Sequence, residues 1–583
     1  MIGAEILIRA LKANGVRTVF GYPGGAVLAI YDELFQQSEI EHILVRHEQH
    51  AGHAAEGYAR ASGKAGVVLV TSGPGITNMV TPLQDALMDS IPLVCICGQV
   101  PTSLIGTDAF QECDAVGITR PCTKHSYIVT DVTAMAETVD LAFRVATSGR
   151  PGPVLICIPK DVQLAECTYY DPPPRAQHAT APAGLFDPSG IRRAGDLIAN
   201  ARRGLIYTGG GVLASGPQAS DALRQLADIT GFPVTSTLMG LGAFPAGHQS
   251  WLGMPGLHGT YEANMAMHDC DVMLCVGARF DDRVTGRLDR FSPGSKKIHI
   301  DIDPSSINKN VAADVALCGD AGAGLTLLVQ DLRSRKHQTK SHLLNDWWSA
   351  IAGWRDQLCL AYEPGDGVIM PQFAIERLWH HIRDRDPYLT TEVGQHQMWA
   401  AQYCRFDNPN RFISSGGLGT MGFGLPAAIG AQLARPDKLV VDIAGDASIQ
   451  MNLKELPTAL QYGLPVKVFI LNNHHLGMVR QLQQHLHNGR KSHSYSDALP
   501  DFTRLAEAYG ARGIRCRHPG ELDNAIMEML AFDGPAVLDC EVAELESCYP
   551  MIKAGSGHNE MWLNQDRFAA GESSGRTPLA VAV

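Results

Sequence analysis

Two apolar runs in the last third of the chain each end abruptly in oxygen-bearing side chains. Residues 440–448 read VVDIAGDAS, and residues 468–473 read VFILNN. Apolar, β-branched runs of this length predict buried strands, and ligand groups gather at the carboxyl ends of parallel strands. Asp446 and Asn473 are 27 positions apart, which is close to the length of one strand–helix–strand crossover. We therefore predict that both side chains lie side by side at one edge of a parallel sheet.

The chemistry of this pair favours a magnesium ion that binds a diphosphate. A carboxylate and an amide oxygen are hard ligands, and two of them leave room around Mg²⁺ for water and phosphate oxygens. The pair resembles the thiamine-diphosphate motif, in which Gly-Asp-Gly is followed nearly thirty residues later by Asn-Asn. Ala447 replaces the last glycine here, and we expect metal binding to survive because alanine is small. Asp446 alone could equally be a helix N-cap, so the partner at Asn473 decides the interpretation.

Strand-like runs that lead into glycine-rich turns recur along the whole chain. This alternation predicts an α/β protein with three doubly wound domains built on mostly parallel sheets. The predicted units are a first domain over 1–166, a Pro- and Ala-rich linker over 167–189, a middle domain over 190–335, a connector over 336–367, a third domain over 368–562 and a disordered tail over 563–583.

Composition limits the classes of function. The formal charge is −12 and no stripe of Lys and Arg is present, so no nucleic-acid partner is expected. No signal peptide, transit peptide or membrane span is found, so no membrane partner is expected either. The 14 cysteines include no Cys-x-x-Cys pair, which favours buried free thiols in a reducing compartment. We expect a cytoplasmic enzyme.

Further stretches identify a family by resemblance. Residues 20–26, 105–112, 148–154, 277–284 and 393–401, in this order, are similar to the catalytic subunits of the acetolactate synthase family. The resemblance covers about residues 3 to 562. It implies a pyrimidine-binding first domain, a central FAD-binding domain and a diphosphate-binding third domain. It also implies a homodimer or homotetramer, and it leaves a small regulatory subunit open.

The resemblance implies a carboligase that uses thiamine diphosphate, Mg²⁺ and FAD. Pyruvate would be decarboxylated, and its two-carbon unit would join a second pyruvate to give 2-acetolactate, or 2-ketobutyrate to give 2-aceto-2-hydroxybutyrate. This is the first common step in making valine, leucine and isoleucine. The alternatives are another FAD-associated thiamine enzyme, such as a pyruvate oxidase or a 2-keto acid decarboxylase, and an inactive paralogue that acts as a binding partner. The presence of Glu48, Asp446 and Asn473 argues against the last.

The same resemblance implies five catalytic residues. Glu48 would bind the aminopyrimidine ring and start deprotonation of the thiazolium carbon, and Gln111 would assist in the same cavity. Arg283 is the candidate to orient the carboxylate of the acceptor, because a guanidinium can hold a carboxylate through two hydrogen bonds, and a surface salt bridge is the alternative. Phe110 would close the apolar side of the cavity, and Lys160 completes the group.

Two larger sets of residues would contact the cofactors, again by resemblance. The set around thiamine diphosphate and Mg²⁺ is Gln395, His396, Gly419, Thr420, Met421, Asp446, Ala447, Ser448, Asn473, His474, His475, Leu476, Gly477 and Met478, with Asp446, Asn473 and the backbone carbonyl of His475 as metal ligands. The set around FAD is Gly209, Gly210, Gly211, Thr237, Leu238, His258, Gly277, Arg279, Asp281, Asp301, Ile302, Asp320 and Ala321, with Ser90 and Arg150 from the first domain.

A second position also departs from the family pattern. Leu482 stands where the family usually has a tryptophan that lines the substrate channel. Loss of the aromatic wall removes stacking area and enlarges the channel. We predict weaker binding of planar sulfonylurea and imidazolinone herbicides and a reduced preference for 2-ketobutyrate as the acceptor.

Overall fold

The computed structural model describes residues 1–169, 186–335, 341–553, 555–565 and 568–570. These residues form three parallel sheets, and each sheet lies between helices. Alternate residues of a strand pack into different cores: Val67 and Leu69 belong to one apolar cluster, whereas Val68 and Val70 belong to another. Burial on both faces explains why the strands are apolar throughout. The predicted class, α/β with doubly wound parallel sheets, is confirmed.

The first sheet is built from six strands. They are β1 (Thr18–Tyr22), β2 (Glu41–Leu44), β3 (Gly66–Val70), β4 (Leu93–Gln99), β5 (His125–Ile128) and β6 (Pro153–Pro159), in the order β2-β1-β3-β4-β6-β5. The helices are α1 (Gly3–Ala13), α2 (Leu28–Phe35), α3 (Glu48–Ser62), α4 (Pro74–Thr77), α5 (Val80–Asp89), α6 (Ala115–Thr119), α7 (Met135–Thr147) and α8 (Lys160–Leu164).

The middle sheet has five strands. They are β7 (Gly204–Thr208), β8 (Val234–Ser236), β9 (Val272–Val276), β10 (Lys296–Asp301) and β11 (Val315–Cys318), in the order β11-β10-β9-β7-β8. The helices are α9 (Pro188–Asn200), α10 (Gly210–Ala214), α11 (Pro217–Thr230), α12 (Tyr261–Asp269), α13 (Asp282–Thr285), α14 (Ala321–Ser334) and α15 (Ser341–Arg355).

The third sheet again has six strands. They are β12 (Tyr388–Thr391), β13 (Phe412–Ser414), β14 (Val440–Gly445), β15 (Lys467–Asn472), β16 (Arg512–Cys516) and β17 (Ala536–Glu541), in the order β13-β12-β14-β15-β17-β16. The helices are α16 (Pro371–Ile382), α17 (Gln395–Tyr403), α18 (Gly424–Ala434), α19 (Asp446–Ile449), α20 (Leu456–Gln461), α21 (Gly477–Leu486), α22 (Phe502–Tyr509) and α23 (Leu522–Ala531). A small antiparallel sheet follows, with β18 (Met551–Ile552), β19 (Glu560–Trp562) and β20 (Phe568–Ala570).

Three predicted segments need comment. The prediction of a disordered tail from residue 563 does not hold for β20, because that strand pairs with β19 through backbone hydrogen bonds. Residues 571–583 lie outside the described residues. The connector over 336–367 contains α15, whose Trp347 is buried in the middle core and donates from Nε1 to the Gly204 carbonyl at 3.1 Å. Most of the predicted linker, residues 170–185, lies outside the described residues.

The first and third domains of the chain are joined by close packing of α3 on α18. A Cβ on Gly57 would overlap the carbonyl oxygen of Ala427, and a Cβ on Gly430 would overlap that of Ala54. Only glycine allows two helix backbones to approach so closely. This contact fixes α3, and therefore Glu48 at its first turn, against the third domain.

No helix within the described ranges combines the length and the apolar character that are needed to cross a bilayer.

Candidate functional site

The structure places Asp446 and Asn473 side by side, as the strand pattern predicts. Strands β14 and β15 are parallel neighbours, with Gly445 in register with Leu471. Asp446 follows β14 directly and Asn473 follows β15 directly, so both reach the carboxyl edge of the third sheet. The crossover between them is helical, with α19 and α20 in place of one long helix.

The Asp446 carboxylate is almost fully enclosed, with 1% of the residue exposed. Its Oδ2 has no hydrogen-bond partner among the described residues. Burial raises the pKa of Asp446 to about 7, although the backbone amides of Asp446 and Asn473 act in the opposite direction. A buried carboxylate with a free oxygen is costly unless a cation neutralises it. The site therefore fits a divalent cation.

Two side chains at the start of α17 approach the same place. The amide of Asn473 donates to Gln395 Oε1 at 3.3 Å. His396 is buried, its Nε2 has no partner among the described residues, and burial lowers its pKa to about 3. The ring is therefore neutral near pH 7.

Glycines shape the space around these side chains. A Cβ on Gly445 would lie 2.8 Å from His396 Nδ1, and one on Gly477 would overlap Gln395 Oε1. Gly477 is also the first residue of the ten-residue helix α21. The N-terminus of a helix favours an anion such as a phosphate. A diphosphate beside a cation fits this cradle.

A cavity joins these groups. It is lined by Val393, Gly394, Gln395, His396, Trp399, Met421, Gly445, Asp446, Ala447, Ser448, Leu471, Asn473, His475, Leu476, Gly477, Met478 and Val479. Eleven of the fourteen residues predicted to contact thiamine diphosphate are in this lining. Of the other three, Thr420 and His474 lie directly beside lining residues in the sequence, and Gly419 lies two residues before Met421.

Sequence reasoning missed Glu392, which lies beside this cavity. Its buried carboxylate accepts hydrogen bonds from the backbone amides of Gly422 and Gly424, at 2.6 and 2.8 Å, and from the side chain of Asn452. Burial raises its pKa to about 7. The signal was weak, because β12 reads YLTT and is only partly apolar before this acid.

The glycine triplet of the middle domain forms a second cradle. Gly209 donates to the Val276 carbonyl at 2.9 Å, and Gly211 donates to the Gly277 carbonyl at 3.0 Å. A Cβ on Gly211 would lie 2.6 Å from the Cα of Gly277, whose φ is +60°. These contacts bring the ends of β7 and β9 together beneath the start of α10. The remaining residue of the triplet, Gly210, is the first residue of that helix.

Most other residues predicted to bind FAD surround the same strand ends. Thr237 and Leu238 follow β8, Asp301 and Ile302 end or follow β10, and Asp320 caps α14, which begins at Ala321. His258 is buried, and its Nε2 has no partner among the described residues. Arg279 follows Gly277 by two residues, and Asp281 caps α13.

Ser90 and Arg150 connect the first domain to the middle domain. Arg150 Nε donates to Ser90 Oγ at 2.8 Å, and its Nη1 lies 3.5 Å from the carboxylate of Asp303. The two residues that the sequence assigned together are thus in direct contact.

The five predicted catalytic residues differ in exposure and in their contacts. Glu48 is half-buried, and its Oε2 accepts a hydrogen bond from Asn78 at 2.9 Å. Phe110 is 87% exposed, Gln111 adopts φ +59°, and Lys160 is exposed at the end of β6. Arg283 is exposed and forms an ion pair with Asp282 at 2.6 Å. None of the five is in the described lining of the Asp446 cavity.

Comparison with known proteins gives the family. Models described as the N-terminal TPP binding domain, the central domain and the C-terminal TPP binding domain of thiamine pyrophosphate enzymes match residues 1–118, 191–328 and 392–540. The acetolactate synthase isozyme 3 large subunit of Escherichia coli is 49% identical over 568 residues, which cover 97% of this chain and 98% of that protein. The chain belongs to the acetolactate synthase family.

Other relatives agree. The acetolactate synthase large subunit of Haemophilus influenzae is 46% identical over 97% of this chain and 98% of that protein. One from Mycobacterium tuberculosis is 47% identical over 96% of this chain and 91% of that protein. Membership of the acetolactate synthase family confirms the predicted enzyme class, a thiamine-pyrophosphate enzyme of branched-chain amino acid synthesis.

Proposed function

We propose that the chain condenses two pyruvate molecules into 2-acetolactate and CO₂, and that 2-ketobutyrate can replace the second pyruvate. The observation that best supports this is the enclosed Asp446 carboxylate beside Asn473, with one oxygen left without a partner. Such a pair holds a divalent cation, and the glycine cradle and the start of α21 accept the diphosphate beside it.

Each part of the third-domain cavity has a defined task. Thiamine diphosphate, when bound, supplies a carbon nucleophile and an acceptor for the electron pair that decarboxylation releases. Asp446, Asn473 and the His475 backbone carbonyl would hold Mg²⁺ against the diphosphate. His396 is neutral, so its imidazole can donate to or accept from a polar group of the cofactor without adding charge. Met421 lines the cavity and would hold the cofactor in its bent form.

Glu48 would exchange a proton with the ring nitrogen of the aminopyrimidine. Its carboxylate is held by Asn78, which fixes the direction of the side chain and leaves the other oxygen for the cofactor. Gln111 would lie in the same space. Arg283, released from its exposed pairing with Asp282, would orient the carboxylate of the second 2-keto acid.

The middle domain would hold FAD. The support is the glycine turn at the ends of β7 and β9, together with His258, whose Nε2 has no partner among the described residues. Arg150 and Ser90 would reach the same cofactor from the first domain. We assign FAD a structural role, because the condensation involves no net oxidation.

We propose that the complete active site forms between two copies of the chain. Glu48, Phe110 and Lys160 lie outside the described lining of the Asp446 cavity, so the first domain of one copy would face the cavity of the other. A small regulatory subunit is a further expected partner, because several relatives are named large subunits. The 14 cysteines are unpaired, which supports a cytoplasmic location.

Product analysis with pyruvate alone tests this function. The purified protein is assayed with Mg²⁺, thiamine diphosphate and FAD, and then with each omitted in turn. We expect acetolactate, with loss of activity when Mg²⁺ or thiamine diphosphate is removed by chelation and dialysis. Acetaldehyde as the main product would indicate a decarboxylase, acetyl phosphate an oxidase, and no product an inactive paralogue.

A further inference from the structure

The segment that carries Met421 into the cavity is held by residues of the first domain. This segment, the 415–421 loop, runs from the end of β13 towards α18. It is rich in glycine, with Gly416, Gly417 and Gly419, so its own side chains do little to fix its path. Its position therefore depends on outside hydrogen bonds.

The last residue of α5 supplies two of these bonds. Asp89 accepts from the backbone amide of Gly416 through Oδ2, at 2.9 Å, and from that of Gly417 through Oδ1, at 2.7 Å. A Cβ on Gly417 would lie only 2.7 Å from Asp89 Oδ1. A carboxylate that accepts two neighbouring amides fixes both the position and the direction of the backbone.

One turn earlier in α5, Asp85 acts on the same loop through a hydroxyl group. Ser415 Oγ donates to Asp85 Oδ1 at 2.9 Å and accepts from the amides of Gly419 and Thr420, at 3.0 and 2.8 Å. Because the hydroxyl has one proton, donation to Asp85 turns its lone pairs towards the two amides. The amide of Thr420 immediately precedes Met421.

The first domain contributes a third contact, and the other side of Met421 is held by the third domain itself. Arg60 of α3 donates to the Ser414 carbonyl at 2.6 Å, just before the loop. On the far side, Glu392 accepts from the amides of Gly422 and Gly424. Met421 thus lies between a turn bound by the first domain and a turn bound by the third.

We propose that Asp89 and Asp85 are positioning residues, which set the place of Met421 in the cavity through the 415–421 loop. The inference rests on the proposed function of that cavity as the thiamine-diphosphate site. Neither carboxylate touches the cavity, so their effect on the cofactor passes through the backbone of the loop. The first domain would then have two roles. Its Glu48 would contact the cofactor of a partner chain, and its helix α5 would position the loop in the cavity of its own chain.

The test is Asp89→Asn in the full-length protein. The amide keeps the size of the side chain but replaces one acceptor with a donor that faces a backbone N–H. We expect the Kd for thiamine diphosphate, measured by calorimetry with Mg²⁺ present, and the KM to rise about tenfold, because a charge-assisted bond is lost. The KM for pyruvate should stay within about twofold, since no substrate contact changes.

Asp271→Asn is the matched control. Asp271 also accepts two consecutive backbone amides, from Arg202 at 2.8 Å and Arg203 at 3.0 Å, but in the middle domain. It should lower the thermal midpoint to a similar extent and leave the KM for thiamine diphosphate unchanged. An equal rise in both variants would overturn the proposal, because a general loss of stability would then explain the effect.

Ser415→Ala is a second variant that tests the same proposal if Asp89→Asn does not fold. It deletes one oxygen, so the amides of Gly419 and Thr420 lose their acceptor while Asp89 keeps its bonds. A raised KM for thiamine diphosphate supports the proposal, and an unchanged KM contradicts it. Wild-type protein is assayed in parallel: absence of acetolactate there would refute the proposed function, whereas active wild type with unchanged variants would refute this inference alone.

Discussion

The first and third sheets both carry predicted functional residues at the carboxyl ends of their strands, but they differ in how far those residues are enclosed within one chain. At the third edge, Asp446 is 1% exposed and shares a cavity with Asn473 and His396. At the first edge, Phe110 is 87% exposed, and half-buried Glu48 accepts a hydrogen bond from Asn78. One edge is closed around a binding site within a single chain, whereas the other presents its functional groups outwards. The difference supports the proposal that cofactor binding and cofactor activation belong to different copies of the chain.

The largest expected effect is the loss of turnover in Glu48→Gln. Removal of a general acid–base group lowers kcat by about 10²–10⁴-fold. Binding of Mg²⁺ and thiamine diphosphate should change little, because the third-domain cavity is intact. Acetolactate production gives the rate and calorimetry gives the affinity, with Glu5→Gln on the surface of α1 as the control. Full activity in Glu48→Gln would refute the assigned role.

In Asp446→Asn, by contrast, we expect cofactor binding to be weakened. Loss of a charged metal ligand should weaken Mg²⁺ binding by at least about 100-fold, since changes to groups that only support a ligand already cost 10–100-fold. High Mg²⁺ and thiamine diphosphate should recover part of the rate, which they cannot do for Glu48→Gln. Unchanged Mg²⁺ affinity, measured by titration, would exclude Asp446 as a ligand.

Contacts between residues that are close in the sequence could be predicted, whereas contacts between distant residues could not. Strands β14 and β15 were predicted because each is a mostly apolar, β-branched run, and the placement of Asp446 beside Asn473 followed from the length of one crossover. The contacts of Asp89 with Gly416 and Gly417 were not predicted. They join residues more than 300 positions apart, and no periodicity near Asp89 distinguishes a carboxylate that binds another domain from one that faces solvent.

Two further differences have the same origin. Trp347 looked like part of a polar connector, but its indole has a partner at Gly204, the first residue of a distant strand. The strand β20 lies in a segment without a regular pattern and is defined only by its pairing with β19. Short edge strands contain too few residues to show the period of two that reveals longer ones.

Buried acids make the third edge sensitive to pH. Burial raises the pKa of Glu392 to about 7, so its amide-binding ionised form is present above that pH and is lost below it. We expect the KM for thiamine diphosphate to rise by up to about tenfold per pH unit below 7. Because the folded-state pKa is raised, the free energy of unfolding should fall as pH increases from about 4 to 7.

Glu392→Gln checks this assignment. The amide cannot ionise, so the KM for thiamine diphosphate should be higher than in wild type. Its dependence on pH should be weaker across this window, and what remains should come from Asp446, whose pKa burial also raises to about 7. If the KM for thiamine diphosphate depends on pH in Glu392→Gln as it does in wild type, the titrating group is not Glu392.

The smallest expected effect concerns the acceptor. Leu482 lies on α21, next to the buried Gln481, and is 37% exposed. Leu482→Trp should increase the preference for 2-ketobutyrate over pyruvate by about 3–10-fold, the value of one aromatic contact. It should also strengthen inhibition by planar herbicides. The product ratio in a mixture of both acceptors is the measurement, and an unchanged ratio would refute the role of this position.

The central claim, an active site shared between two chains, is tested most directly by mixing two inactive variants. Glu48→Gln and Asp446→Asn proteins are unfolded together, refolded and assayed for acetolactate, with each variant alone and wild type treated in the same way. In a mixed dimer one site has both substitutions and the other has none, so about a quarter of wild-type activity should return. If Glu48 and Asp446 act within one chain, every site is defective and no activity returns, which would contradict the account.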